Sequence, residues 1–366
     1  MSHSRNQKHA CGTRIRRVIH GRYGNAIHSQ EGFSLIESVV AMTILLIIMG
    51  AVFALMRDSM KVAKVTYELT DAQQNLRTAQ EFISRDLMNA GDGLESISNI
   101  RTPLAFVTSY VTLNPVTDPS TPGIINLGIF TSDNNVPANT PVTGAISATN
   151  VRAGTDRQTI LEIDPAFTAV SPTAIDVTGS TVTLPVGYAM SKFTSGEVYF
   201  LTSSAGATFG TITSINTVAR QLSFAIGDPY GLNLTGAVGH IKIISAGGTL
   251  ATSLQRMRII QYYVTATGLL VRRVFGVPGA GFRESTIAEH VLDVQFNYSL
   301  ITTDAAGNVT PSATTALISS AQQLAVRQVE VRITVETPHT IQNGSRQPLT
   351  MTTATSVRNM QFRQAL

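Results

Sequence analysis

The sequence predicts an α+β fold: a long N-terminal helix, apolar in its first half and amphipathic in its second, packed on an antiparallel β-rich C-terminal domain. Three observations carry that expectation. Phe33–Met56 is apolar except for Ser34, Glu37, Ser38 and Thr43. Apolar residues then recur at steps of three and four as far as Ala90, the period of one helix face. Beyond Gly154 come segments that alternate apolar and polar residues, the period of a sheet with one wet face.

The chain of 366 residues has a formal net charge of +4, and its distribution matters more than its sum. Residues 1–32 hold Arg5, Lys8, Arg14, Arg16, Arg17 and Arg22 against Glu31 alone. Taking these six from 27 basic residues, and one from 23 acidic, leaves 21 against 22 and a net of −1. Basic character is therefore confined to the leader, and the body offers nothing that calls for a phosphate backbone. The single cysteine, Cys11, is also in the leader, so the body has neither a disulfide nor a thiol nucleophile.

A helix over Phe33–Met56 is about 36 Å long, enough to cross a hydrocarbon layer of roughly 30 Å. The basic leader before it puts the N-terminus in the cytoplasm and the chain after Arg57 outside. A cleaved secretory signal fits less well, because the apolar run is long and no small-residue site follows it. Instead the pattern continues through Val62, Val65, Leu69, Ala72, Leu76, Ala79, Phe82/Ile83, Leu87 and Ala90. The Asn89–Gly93 stretch, NAGDG, supplies a stop.

Glu37 is the anomaly in this helix. Ser34-Leu-Ile-Glu37 matches a capping box, with Ser34 as the helix start. Capping does not by itself explain a carboxylate inside a membrane segment, where charge is penalised and signals a partner. Cleavage between Gly32 and Phe33 creates one, because the new Phe33 amine is a cation one helical turn away. In a bundle of staggered copies the amine of a neighbour serves equally well.

These residues, a short basic leader ending in Gly32 followed by Phe33-Ser-Leu-Ile-Glu37-Ser and an apolar helix, resemble the type IV prepilin processing signal. The resemblance implies cleavage after Gly32 by a membrane prepilin peptidase and methylation of the Phe33 amine. It also implies that Glu37 pairs with the terminus of an adjacent subunit. Major pilins usually carry a proline in this helix where the chain has Ala54, so the match leans toward minor pilins or the pseudopilins of type II secretion. The expected domains are a leader at 1–32, a membrane and filament-core half-helix at 33–56, an amphipathic half-helix at 57–92 and a β-rich domain at 93–366.

Residues 103–149 are rich in Ser, Thr, Asn, Pro and Gly and read as loops, with short strands at Leu104–Val111 and Ile124–Phe130. The expectation is an irregular insertion on the domain surface. Strands follow at 159–163, 174–186, 197–203, 210–215, 221–226 and 240–245, then a hairpin over 258–276 turning near Ala266–Gly268. The clearest alternation comes last. Leu292, Val294, Phe296, Tyr298 and Leu300 share one face, as do Val329, Val331, Ile333 and Val335. The order of these segments, closing on Thr-Thr-Ala-Thr-Ser-Val-Arg-Asn, resembles PilW-like minor pilins, with the J-type pseudopilin as the alternative.

No catalytic or metal motif stands in the body. His240, His290 and His339 are far apart, and no Zn, phosphate-loop or Ca pattern is present. Asp156, Asp164, Asp176 and Asp228 read as turn residues, and Arg256/Arg258 and Arg272/Arg273 as solvated strand faces rather than a basic patch. A non-enzyme without cofactor or metal is expected. The resemblance implies as partners the prepilin peptidase, other major and minor pilins, an inner-membrane assembly platform and the bilayer before assembly. It implies a single-pass inner-membrane protein that moves to the pilus and cell surface, with a part in starting assembly. A tip adhesin or DNA-uptake module and a membrane-anchored enzyme are the rivals from other classes.

Overall fold

The computed structural model describes residues 32–94, 100–115, 123–144, 149–176, 178–234, 241, 244, 253–279, 281–303, 308–317, 319–341 and 344–361. The leader before Gly32, and His240, lie outside the described residues. The chain divides into two compact units between Met60 and Lys61.

A single helix, α1 (Leu35–Asn89), contains 55 residues. In the first unit every residue from Gly32 to Met60 is exposed, among them Leu46 at 72% and Phe53 at 62%. This part of α1 is long and apolar enough to cross a membrane.

In the second unit α1 buries one stripe. Val62 is exposed and Val65 and Leu69 are half-buried, whereas Ala72, Leu76, Ala79, Ile83, Leu87 and Ala90 are buried in the main core. The helix stops where NAGDG predicts. Gly91 takes φ +74°, the left-handed conformation that terminates helices at little steric cost to glycine. Its amide donates to the Leu161 carbonyl at 2.9 Å instead of continuing the helix. Two carbonyls of the helix end, those of Asn89 and Ala90, accept from the Asn359 side-chain amide at 3.5 and 3.3 Å.

The second unit is otherwise β-rich. β1 (Ile100–Pro103), β2 (Ile124–Leu127), β3 (Phe130–Asp133) and β4 (Arg157–Ile163) come first. β5 (Ala174–Ile175), β6 (Thr181–Thr183), β7 (Val198–Ser203), β8 (Gly206–Thr211), β9 (Ser214–Asn216) and β10 (Gln221–Ser223) follow. The chain then forms β11 (Ser253–Val264), β12 (Leu270–Val277) and β13 (Gly281–Ala288). It closes with β14 (Val291–Thr303), β15 (Val309–Thr314), β16 (Val326–Glu336) and β17 (Pro348–Ser356).

The largest sheet is organised by β11, whose length lets it serve two partners along one edge. Residues 253–256 pair with β7 and 257–262 with β4, while 260–264 pair with β12 on the other edge. β4 lies between β3 and β11 and is buried along its whole length. A second sheet runs β15-β14-β16-β17, antiparallel throughout. The small sheet β5-β6-β10-β9 helps to build a separate core with Phe167, Phe193, Tyr199 and Phe224. One pairing departs from the antiparallel expectation: β1 lies parallel to β8.

Several expectations need correction. Leu104–Val111 is helical, not a strand, with a π-turn over Val107–Val111 that buries Phe106, Val107 and Val111. Region 103–149 is not a surface insertion either. It supplies β2 and β3, and Ile125, Leu127, Ile129 and Phe130 enter the main core. The expected strand at 210–215 is the end of β8 and the start of β9, broken at Ile212–Thr213. Within 240–245, Ile241 and Ile244 are described; both are helical and buried. A bulge at Leu292 changes the phase of β14, so Val291 is buried with Val294, Phe296, Tyr298 and Leu300.

Candidate processing and assembly site

At the start of α1 the Ser34 hydroxyl accepts a hydrogen bond from the Glu37 amide at 3.3 Å, and the Ser34 carbonyl accepts from Ser38 at 3.2 Å. Ser34 is therefore the N-cap, and Glu37 stands in the first turn, where the helix dipole favours an anion. Its side chain is exposed and has no ion-pair partner among the described residues. A carboxylate so placed is well suited to water and poorly suited to lipid until a cation meets it.

Gly32 and Phe33 are exposed as well. A Cβ built on Gly32 meets nothing within 4 Å. Glycine is thus not required there by the packing of this chain. A requirement for glycine at this position belongs to whatever reads the chain from outside.

The prokaryotic N-terminal methylation motif matches residues 27–53, which include all four of these residues and most of the exposed apolar helix. This is a type IV prepilin-like chain. No curated protein and no solved structure matches it. For a prepilin-like chain the motif implies processing by a prepilin peptidase and a pilin-type assembly context. The motif and the apolar helix together fit a membrane-anchored pilin.

The amphipathic half of this prepilin-type helix is held by charge as well as by apolar burial. Asp86, 3% exposed, accepts from the Tyr262 hydroxyl at 2.5 Å and from Arg272 Nε at 2.6 Å. Burial works to lower the Arg272 pKa, but the Asp86 hydrogen bond and charge raise it overall. Burial raises the Tyr262 hydroxyl, and Asp86 adds to the rise. Glu162 on β4 is pushed up to about 7 by burial and then by the Asp86 charge, against the opposing Arg258 and Arg272. Further up the helix, buried Glu68 accepts from the His339 amide at 3.2 Å and contacts its Nδ1 at 2.9 Å.

These contacts were hidden in the sequence because their partners are far away along the chain. One signal was available: Glu68 and Asp86 fall in phase with the apolar stripe of Ala72, Leu76, Ile83 and Leu87. An acid on a buried face calls for a cation or a donor.

The arginine pairs are neither a basic patch nor solvated faces. Arg256 pairs with Asp164 and Glu197, Arg258 with Asp164 and Glu162, Arg272 with Asp86, and fully buried Arg273 with Glu284. Two of the aspartates behave as turn residues: Asp228 accepts from the amides of Tyr230, Leu232 and Asn233, and Asp176 from those of Ser180 and Thr181. Asp164 accepts from the nearby Ala166 amide but also pairs with Arg256 and Arg258, and Asp156 is not a turn residue, since it accepts from the distant amides of Asn135 and Phe296. His290 sits in the turn between β13 and β14 with φ +55°. No group of three metal-ligating side chains occurs among the described residues.

Proposed function

We propose that the chain is a minor pilin of the PilW-like kind, a non-catalytic subunit that helps to start pilus assembly. Prepilin peptidase cuts between Gly32 and Phe33 in the inner membrane, and the Phe33 amine is then methylated. The leader stays cytoplasmic and the domain beyond Arg57 is extracytoplasmic. The exposed half of α1 leaves lipid for a bundle of like helices contributed by other pilins, so its apolar surface stays out of water throughout. Glu37 finds the amine of a neighbouring subunit there.

The observation that carries this reading is the pairing of an unpartnered Glu37 with a Gly32 whose neighbours leave room for a side chain. One residue lacks an ion-pair partner among the described residues, and the other has no reason to be glycine in the packing of those residues. Both are explained by a cut at that bond followed by assembly.

Gly32→Glu tests the cut. Intact-mass measurement of the membrane fraction should show the uncut precursor, whereas the unaltered chain should begin at N-methylated Phe33. A variant chain still starting at Phe33 overturns the assignment. Glu37→Ala should be cut normally and enter filaments poorly, and normal incorporation removes the pairing role.

The absence of proline from α1 favours a J-type pseudopilin as strongly as a minor pilin over a main shaft subunit. Loss of surface pili on deletion of the chain, with secretion intact, supports the minor pilin. The reverse outcome supports the pseudopilin.

A further inference from the structure

Three arginines are buried among the described residues: Arg157, Arg273 and Arg327. Arg157 pairs with Asp133 at 2.6 Å and Arg273 with Glu284 at 2.5 Å. Arg327, 8% exposed, has no carboxylate partner among the described residues. Its Nη1 donates to the carbonyls of Leu324 and Val326, at 3.0 and 2.9 Å. The Nε–Nη2 edge, which matches the two oxygens of a carboxylate, has no acceptor among the described residues.

The backbone places this edge deliberately. Ser299 pairs with Gln328 and Leu300 with Val326, so Arg327 is the extra residue of a β-bulge on β16. A bulge turns a side chain away from the alternation of its strand. Here Arg327 lines an open cavity of about 480 Å³, within the size range of small-molecule sites. Ser299, Gln328 and Ser356, paired in one row across three strands, line the same cavity, with Ser312 of β15 beside them. None of these four side chains has a hydrogen-bond partner among the described residues. Burial lowers the Arg327 pKa with no anion to offset it, the reverse of the outcome at Arg256 and Arg272.

We propose that this cavity is an oxyanion site, in which the free edge of Arg327 holds the charged group and the serine hydroxyls and Gln328 amide bind its polar surroundings. The cavity is roomier than a bare ion needs, so the favoured occupant is a carboxylate carried by a small hydroxylated molecule, such as an acidic sugar. A free phosphate shares the chemistry that Arg327 reads.

The test is calorimetric titration of the full chain in detergent micelles with glucuronate, inorganic phosphate and, as an uncharged control, glucose. Glucuronate should bind and glucose should not, and Arg327→Gln should weaken binding by at least about tenfold. Phosphate binding as tightly as glucuronate, and equally lost in Arg327→Gln, supports the oxyanion site and assigns it to the free ion. Ser356→Leu, at an exposed strand position, should fill the cavity and block binding while leaving the circular dichroism spectrum unchanged. Arg346→Gln, which removes a cation paired with Glu336 elsewhere on β16, should change nothing. The proposal fails if neither anion binds at millimolar concentration. It also fails if Ser356→Leu, folded as the unaltered chain is, binds as tightly.

Discussion

Residues 35–60 and 68–90 are turns of one helix, yet they treat acidic residues in opposite ways. In the first stretch Glu37 is exposed and lacks an ion-pair partner among the described residues; in the second, Asp86 and Glu68 are buried and fully engaged. The apolar residues divide likewise. Leu46 and Phe53 are bare, whereas Leu76 and Ile83 are sealed in the core. A soluble monomer rarely leaves so much contiguous apolar surface uncovered. The lesson is that a carboxylate on a helix must be read with its partner, which for Asp86 is Arg272 and Tyr262 and for Glu37 is the amine we propose from a neighbouring subunit.

The sharpest way to break this contrast is to remove Asp86. Asp86→Ala strands Arg272 and the Tyr262 hydroxyl and should destabilise the domain by about 4 kcal/mol, the range for a broken buried pair. Urea unfolding of the full chain in micelles, followed by tyrosine near-ultraviolet circular dichroism, reads the shift. Leu76→Ala should cost about 3 kcal/mol through lost burial and a cavity. Leu46→Ala, the same chemical change in the exposed half, should leave that midpoint where it was.

Glu162 sharpens the comparison through pH. Its carboxyl is raised to about 7 in the folded domain from an ordinary value near 4.5, so the folded state binds the proton more tightly than the unfolded state. Its contribution to stability is complete below pH ~4.5 and is lost as pH rises through 7, a fall on the order of 3 kcal/mol. Glu162→Gln should remove most of that fall. A smaller slope of the same sign should remain from Asp156, which burial raises to about 6. Among the groups that pair with α1, the smallest effect belongs to His339→Ala. The imidazole is largely exposed, so the change should stay below about 1 kcal/mol.

The helix was legible almost to the residue. Ser34 announced its cap, and Gly91, in a segment of turn formers, announced its end. β14 and β16 were legible because each has one wet face and therefore alternates. β13, β15 and β17 were not, since their exposed Thr, Ser and Arg residues are ordered by pairing and carry no apolar pattern. The π-turn at Val107–Val111 was missed because its buried residues follow neither a helical nor a strand period. The four residues of the proposed processing site lie within the matched motif and within six positions of one another, so that candidate could be assembled from the sequence alone. The Asp86 contacts span 176 and 186 residues and left only the phase of one aspartate as a trace.

The amide that closes α1 comes from Asn359, some 270 positions after the carbonyls it serves. The helix therefore finds this donor only once a segment far along the chain has folded back against its end. A chain lacking Asn359 leaves both carbonyls without this donor, so the last turn of α1 reports whether that segment has docked.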